Sequence, residues 1–470
     1  MQKIPFLPSK NFSDINFKLL NILFFCLPVS FLTGNSITNI IIFLICLIGI
    51  FTFSDKLHLI KNDTVSLAFL AFFIILFIST ALDGLEDSRN DHFYKSISYF
   101  RYFFLFLVVT LFVKSKKFNF KYFLISSFVC VFSLSSDIAY QFATGSDFFG
   151  IKGYEECDTS KTVINCPAGT YRLAGFLKDE YIAGSYIQKF FIFSLVLFPF
   201  LSKRLEKQKF IISIFLMVIF FAGVLYSGNR MPFVMFVFSI FLMMIFIKDL
   251  RFPLAVGFLF CSIMFYSSYK KSEQIQRPYF SFYVNAQSIL KNLERYAFKE
   301  YPELENKKYK NFSSEYHSGE DSKKLKDEYI MINFGSGHAV IYLTAINSWK
   351  NSPIIGSGIK SFRVKCLDTL HVPNRVCESH PHNYYLELLN DTGLIGTLIF
   401  FFALFFLLKE KYLNFKRYEK KEKFLIICIF IIIFCEFFPL RSTGSFFATQ
   451  SSAYVFFLLG MLNGIKKIKI

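Results

Sequence analysis

Hydrophobic and polar positions alternate along this chain in long blocks. Runs of about 17–22 apolar residues recur, each long enough to cross a hydrocarbon core of about 30 Å at about 1.5 Å per residue. Roughly twelve such runs predict membrane-spanning helices near 17–34, 36–54, 64–82, 97–113, 119–140, 182–201, 209–227, 231–248, 252–269, 393–408, 423–440 and 447–465. The first run has no small-residue cleavage site after a short apolar core, so it reads as a retained helix. The expected architecture is an all-α polytopic membrane protein.

Two polar segments interrupt the pattern. One covers 141–180 and the other about 120 residues, 270–392. They divide the chain into helices one to nine (1–269), a large loop (270–392) and three closing helices (393–470). Ser288 to Lys299 and His338 to Lys350 carry helical spacing inside the large loop, so it is expected to be partly helical. Glu303 to Lys326 is rich in charge and poor in large aliphatics, and reads as solvated chain. Pro353-Ile354-Ile355-Gly356-Ser357-Gly358 reads as a turn returning the chain to the membrane surface. No internal repeat is visible, which weakens a transporter architecture.

Charge adds an orientation. The 470 residues carry a formal net charge of +18, yet only 18% of them are charged. With the N-terminus inside, the tails and the inner loops (Lys56/Lys61, Lys114–Lys121, Lys203–Lys209, Lys248/Arg251, Lys409–Lys423, Lys466–Lys469) hold roughly 24 basic residues, and the outer connections other than the large loop hold roughly eight. Both termini are therefore expected in the cytoplasm. The scattering of charge over short loops excludes a nucleic-acid surface and leaves the lipid bilayer as the general partner.

The cysteines support this orientation. Six (Cys26, Cys46, Cys130, Cys261, Cys428, Cys435) fall in apolar segments as small hydrophobes. The other four form close pairs in outer loops, Cys157 with Cys166 and Cys366 with Cys377, and predict two local disulfides. No Cys-x-x-Cys spacing favours zinc. An acidic group, Glu155-Glu156-Asp158, lies in the first cysteine loop and is read as surface charge ahead of a metal site.

Polar residues that a membrane protein does not need gather at the outer side. Arg101 sits just inside the outer end of helix four, and Asp137, Gln141 and Gly145 share a face at the end of helix five. Arg172 precedes Gly175, Lys189 enters helix six, Arg230 ends a very short turn, and Glu436 and Arg441 flank Pro439. Such arginines are costly beside a membrane unless they meet anions, and guanidinium forks suit phosphate oxygens. The chemistry is densest at His380-Pro381-His382-Asn383-Tyr384-Tyr385-Leu386-Glu387, which runs on through Asn390-Asp391 to Gly393 and Gly396. A helix beginning near Asn383 places His382 at its positive end, a position that favours a neutral ring and makes it a candidate general base. His380, Asn383, Glu387 and Asp391 are read as supporting residues. Each residue also has a plain structural reading as snorkelling side chain, cap or surface charge.

His382 and Asn383, followed by Leu386, Asp391, Gly393 and Gly396, resemble the signature of the bacterial O-antigen ligase and polymerase superfamily. Three other segments agree in order: Arg172 to Phe176 with Gly184 and Tyr186, Ser227 to Arg230, and Pro353 to Gly358 with Phe362 and Arg363. Asp391 stands where the family more often has Glu. The resemblance implies a GT-C-like helical glycosyltransferase that works without a metal or other cofactor at the periplasmic face of the inner membrane. Its donor would be an undecaprenyl-diphosphate-linked glycan. By this resemblance the histidine at His382 activates the acceptor hydroxyl, while Arg172 and Arg230, with Arg101 and Arg441, hold the donor diphosphate. Arg363 and His338 join the supporting residues.

The leading expectation is ligation of O-antigen to lipid A-core. Polymerisation onto a second glycan, or oligosaccharyl transfer to a protein, uses similar chemistry with another acceptor. A polysaccharide transporter or flippase is the competing class, and it calls for ionisable residues near the membrane midplane. Here they cluster at the outer ends, with Lys189 a partial exception.

Overall fold

A computed structural model describes residues 10–84, 90–151, 172–178, 180–201, 208–280, 282–284, 337–366, 377–442 and 444–465. Cys157, Cys166, Glu155, Glu156, Asp158 and the segment Ser288 to Lys326 lie outside the described residues. Within those limits the chain is all helical, with no strand.

The helices follow the apolar runs closely. They are α1 (Lys10–Thr33), α2 (Asn35–Thr52), α3 (Thr64–Gly84), α4 (Asn90–Tyr99), α5 (Arg101–Lys114), α6 (Phe120–Thr144), α7 (Ala183–Leu201), α8 (Lys209–Tyr226), α9 (Arg230–Phe246) and α10 (Arg251–Lys271). After the large loop come α11 (Gly337–Lys350), α12 (Phe362–Lys365), α13 (Tyr384–Leu413), α14 (Lys420–Glu436) and α15 (Thr449–Gly464). Among the described residues, 8 spans are long and apolar enough to cross a membrane, and Ala183–Leu197 and Arg230–Phe246 are shorter apolar helices. The protein is thus a polytopic α-helical membrane protein.

Local chemistry sets several ends. Asn119 accepts from the Lys121 N–H to start α6, and Gly145, at φ 86°, ends it. Glu419 and Glu422 form a reciprocal cap at the start of α14.

The centre of the bundle is α15, buried from Ser451 to Gly464. It lies against α5 at a distance that side chains would forbid. A Cβ at Gly460 would stand 2.8 Å from the Phe106 carbonyl oxygen, and one at Gly464 would stand 2.8 Å from that of Thr110. Without a strong hydrophobic drive between helices in lipid, such close backbone approach is how they hold together. Phenylalanines fill the remaining space: Phe400 of α13 meets Phe69 and Phe72 of α3 edge-on, at 5.8 and 5.2 Å between centroids. At the end of the bundle away from the histidines, Lys114 pairs with Asp63 at 3.1 Å, and buried Lys411 donates to the carbonyl that closes α15.

The Pro353–Gly358 segment does more than turn. It inserts into α13, which is broken at Gly393 (φ 62°, ψ −167°). Ser357 N–H donates to the Asn390 carbonyl and Gly358 N–H to that of Asp391, while Leu394 and Ile395 N–H turn to the carbonyls of Pro353 and Ile354. The inserted segment therefore replaces the helix's own hydrogen bonds across the break, as irregular backbone inside a membrane protein requires. Both Gly393 and Gly356 lack room for a Cβ, each against the other's backbone. This explains the two glycines physically. The sequence reading of a turn at the surface was too shallow, because the partners that receive it lie far along the chain.

Candidate active site

Four segments meet at the loop-bearing end of the bundle, and each is held by a polar anchor. Arg172 begins the stretch entering the short turn Gly175–Leu177. The Asp137 carboxylate accepts from the N–H groups of Phe148 (2.8 Å) and Phe176 (2.7 Å), and Gln141 Oε1 accepts from Gly175 N–H (3.0 Å). The i, i+4 pair on α6 therefore serves as a clamp for the arginine's segment. Gly175, at φ 57°, has Asp137 where a Cβ would go.

Arg230 is placed by its neighbour. Asn229 Oδ1 accepts from Gly184 N–H at 3.0 Å, and its Nδ2 donates to the Tyr181 carbonyl at 3.1 Å. The turn before α9 is so tied to the start of α7, and Gly184 leaves room for it.

The histidine turn is anchored from below. Asn383 caps α13 by accepting from Tyr385 and Leu386 N–H, and donates to the Pro439 carbonyl at 2.8 Å. His382 immediately before it adopts φ 56°, a left-handed conformation that costs a non-glycine residue about 1–2 kcal/mol. That strain aims its ring. The His382 ring lies 5.3 Å from that of His338 on α11 and 4.2 Å from that of His380, centroid to centroid. His380 in turn contacts Ser379 Oγ through Nδ1 at 2.8 Å.

The arginines reach this pair. His338 is held below its ordinary value, first by burial, then by its neighbours His382, Arg230 and Arg172. Arg172 also lies within electrostatic reach of Arg230. Both arginines are half-buried, and among the described residues neither guanidinium has a hydrogen bond or ion pair. Two guanidinium groups within electrostatic reach of each other, without an ion-pair partner among the described residues, have the chemistry to bind an anion.

The other predicted residues go elsewhere. Arg441 is buried and ion-paired with Glu436 at 3.1 Å, with further bonds to the Cys435 carbonyl and Gln188 Oε1. Arg101 starts α5, donates to Ser98 and Tyr102, and lies over the Tyr102 ring. Lys189 lies over the Tyr454 ring. Glu387 and Asp391 are fully buried brackets. Glu387 accepts from Ser445 Oγ and Phe446 N–H of the α14–α15 connection, and Asp391 accepts from Lys360 N–H and from Ser361 N–H and Oγ. Arg363 is exposed on α12, within electrostatic reach of Glu387. Cys366 and Cys377 form the expected disulfide, with Cα atoms 5.7 Å apart.

Two tyrosines complete the site without having signalled themselves in the sequence. Tyr279, buried beyond α10, lies within electrostatic reach of Arg230 and donates to the Leu225 carbonyl. Tyr342, one turn along α11 from His338, hydrogen-bonds Asn383. Among the described residues no group of three or more His, Cys, Asp or Glu is arranged to hold a metal.

Fold and site together define a multi-span helical membrane protein with a polar centre of arginines and histidines at one end of its bundle. A family model described as O-antigen ligase matches residues 190–401, a little under half of the chain, so this segment is similar to that family. The match runs from α7 into α13 and includes Arg230, His338, Arg363 and His382; Arg172, Arg101 and Arg441 lie outside it. No curated protein matches the chain.

Proposed function

We propose that the protein transfers a glycan from undecaprenyl diphosphate to an acceptor hydroxyl at the periplasmic face of the bacterial inner membrane, with lipid A-core as acceptor. One observation carries the reading: Arg172 and Arg230, without an ion-pair partner among the described residues, lie within electrostatic reach of His338 beside His382, and Arg230, His338 and His382 fall in the segment similar to O-antigen ligase. In this reaction the acceptor oxygen attacks the anomeric carbon as its proton passes to His382. The bond from that carbon to the diphosphate breaks, and the lipid diphosphate leaves with the electron pair. Arg172 and Arg230 stabilise the charge that develops on the leaving group, supplying without a metal what such displacements need. Arg441 and Arg101, engaged within the protein, support the bundle instead.

The test is reconstitution in proteoliposomes with a lipid-linked glycan and three acceptors offered in parallel: lipid A-core, a second lipid-linked glycan, and a pilin-type protein. Product on lipid A-core supports ligation; product on either other acceptor alone reassigns the enzyme. His382→Ala lowers transfer by about 10²–10⁴-fold while membrane insertion is kept. Near-normal turnover by that variant removes the base assignment. Chelator-sensitive activity restored by divalent ions overturns the metal-free route. Movement of labelled lipid-linked glycan across the bilayer without transfer supports the flippase class.

A further inference from the structure

The outer end of α6 carries an apolar tip whose level in the membrane follows from residue counting. About 20 residues of helix cross a hydrocarbon core of about 30 Å. Counted from Phe120, beside the basic residues Lys116 and Lys117, the core ends near the exposed Tyr140. The helix runs on to Thr144, and the chain then doubles back. Phe148 N–H donates to the Asp137 carboxylate at 2.8 Å, a level about 10 Å short of the helix end. The Phe148 ring lies 4.7 Å from that of Tyr140.

The turn that makes this reversal is compact. The Asp147 carboxylate accepts from Phe149 N–H at 2.9 Å and from Ile151 N–H at 2.7 Å, and Asp147 N–H donates to the Ile151 carbonyl at 2.9 Å. Its rings nevertheless face outward: Phe148 is 59% exposed and Phe149 77%. Two adjacent phenylalanines held outward by a bonded turn are unfavourable in water. At the level where the hydrocarbon ends they match the aromatic belts of spanning proteins.

The side chains that hold this turn also hold the Arg172 segment. Asp137 accepts from Phe148 N–H on one oxygen and from Phe176 N–H on the other. Gln141 donates through Nε2 to the Ile151 carbonyl at 3.4 Å and accepts through Oε1 from Gly175 N–H at 3.0 Å. Two buried side chains, one turn apart on α6, therefore each join the tip to the arginine's segment.

We propose that the Phe148–Phe149 tip inserts into the leaflet at the loop-bearing end of the bundle, at the boundary of headgroups and acyl chains, and that its depth sets the height of the Arg172 segment over the bilayer. The partner is the lipid surface itself. The anchor stands on the geometry alone. Its consequence for binding rests on the transfer reading above, in which Arg172 meets a diphosphate carried on a lipid.

Depth is measured first. The chain has one tryptophan, Trp349, so full-length protein carrying Trp349→Phe and Phe149→Trp reports from the tip alone. In phosphatidylcholine nanodiscs holding one copy each, bromines near the headgroup end of the acyl chains quench this fluorescence more strongly than bromines near the far end. Emission typical of water overturns the anchor. So does emission untouched by bromine at either depth, since protein then covers the tip.

Coupling is measured by binding. In Phe148→Ser/Phe149→Ser, affinity for undecaprenyl diphosphate in the bilayer falls by about tenfold, while affinity for inorganic diphosphate in solution stays within about twofold of wild type. Phe148→Leu/Phe149→Leu, still apolar, keeps most of the affinity in the bilayer, which separates lost anchoring from lost folding. Equal loss for both diphosphates, or loss for neither, overturns the coupling. If wild type binds neither diphosphate, the donor-site reading fails, and the bromine measurement still decides the anchor.

Discussion

Two arginine sites near the same end of this bundle are built on opposite principles. Arg441 is buried, ion-paired with Glu436 and bonded to Gln188 and the Cys435 carbonyl. Arg172 and Arg230 are half-buried, within electrostatic reach of each other, and without an ion-pair partner among the described residues. The first arrangement consumes the charge within the fold, fixing the connection on which Asn383 and Glu387 also rest. The second leaves the charge uncompensated among the described residues, as the proposed diphosphate site requires. Sequence position does not separate these roles, because all three arginines lie in or beside connections between helices; what separates them is whether a carboxylate is delivered to the same spot.

The comparison breaks most visibly at Glu436. Glu436→Ala leaves Arg441 buried and unpaired, a change that costs about 3–5 kcal/mol. The expected outcome is poor recovery of folded protein and a large drop in thermal midpoint; normal stability means the pair is dispensable. Next, Arg172→Ala and Arg230→Ala each weaken binding of an undecaprenyl diphosphate probe by about 10–100-fold, the loss of one charged hydrogen-bonding partner. Their thermal midpoints stay close to wild type or rise, since two like charges are relieved. Destabilisation with unchanged donor affinity in both variants erases the distinction between the two sites.

The smallest effect concerns pH. His338 is held below the ordinary imidazole range, so it is neutral near neutral pH and gains its proton only as pH falls beneath about 6.5. Protonation adds positive charge beside the arginines and strengthens anion binding, but only in that acidic window. His338→Asn therefore leaves donor affinity between pH 7 and 8 within about twofold of wild type and removes only a rise found at lower pH. A rise above pH 7 that depends on His338 contradicts the direction of its shift.

Much of this was legible from spacing alone. Asp137 and Gln141 share a helix face because they are four apart, and the structure uses that face as a clamp. Asn383 marked a helix start, and it caps α13. Cys366 and Cys377 stood close enough to bridge, and they do. In each case the partners are near in sequence or the signal is local backbone chemistry. The Pro353–Gly358 insertion was read only as a turn, since its receiving groups are on α13 and α3. Glu387 and Asp391 were read as supporting the histidine, and their actual bonding, to the α14–α15 connection and to the Lys360 turn, follows from contacts with no periodicity in the chain.

By itself, then, the sequence determined the all-helical membrane class, the course of most helices and the family resemblance, while of the twelve spans it suggested, eight are long and apolar enough to cross a membrane among the described residues. Those depend on apolar run length, helical period and short motifs, all of which are one-dimensional. Only the tertiary structure decided which arginines are neutralised and which stay open, and how a glycine pair admits a length of backbone into a broken helix. The physical reason is that charge compensation and close backbone approach act over a few ångströms in space, between residues separated by up to hundreds of positions along the chain.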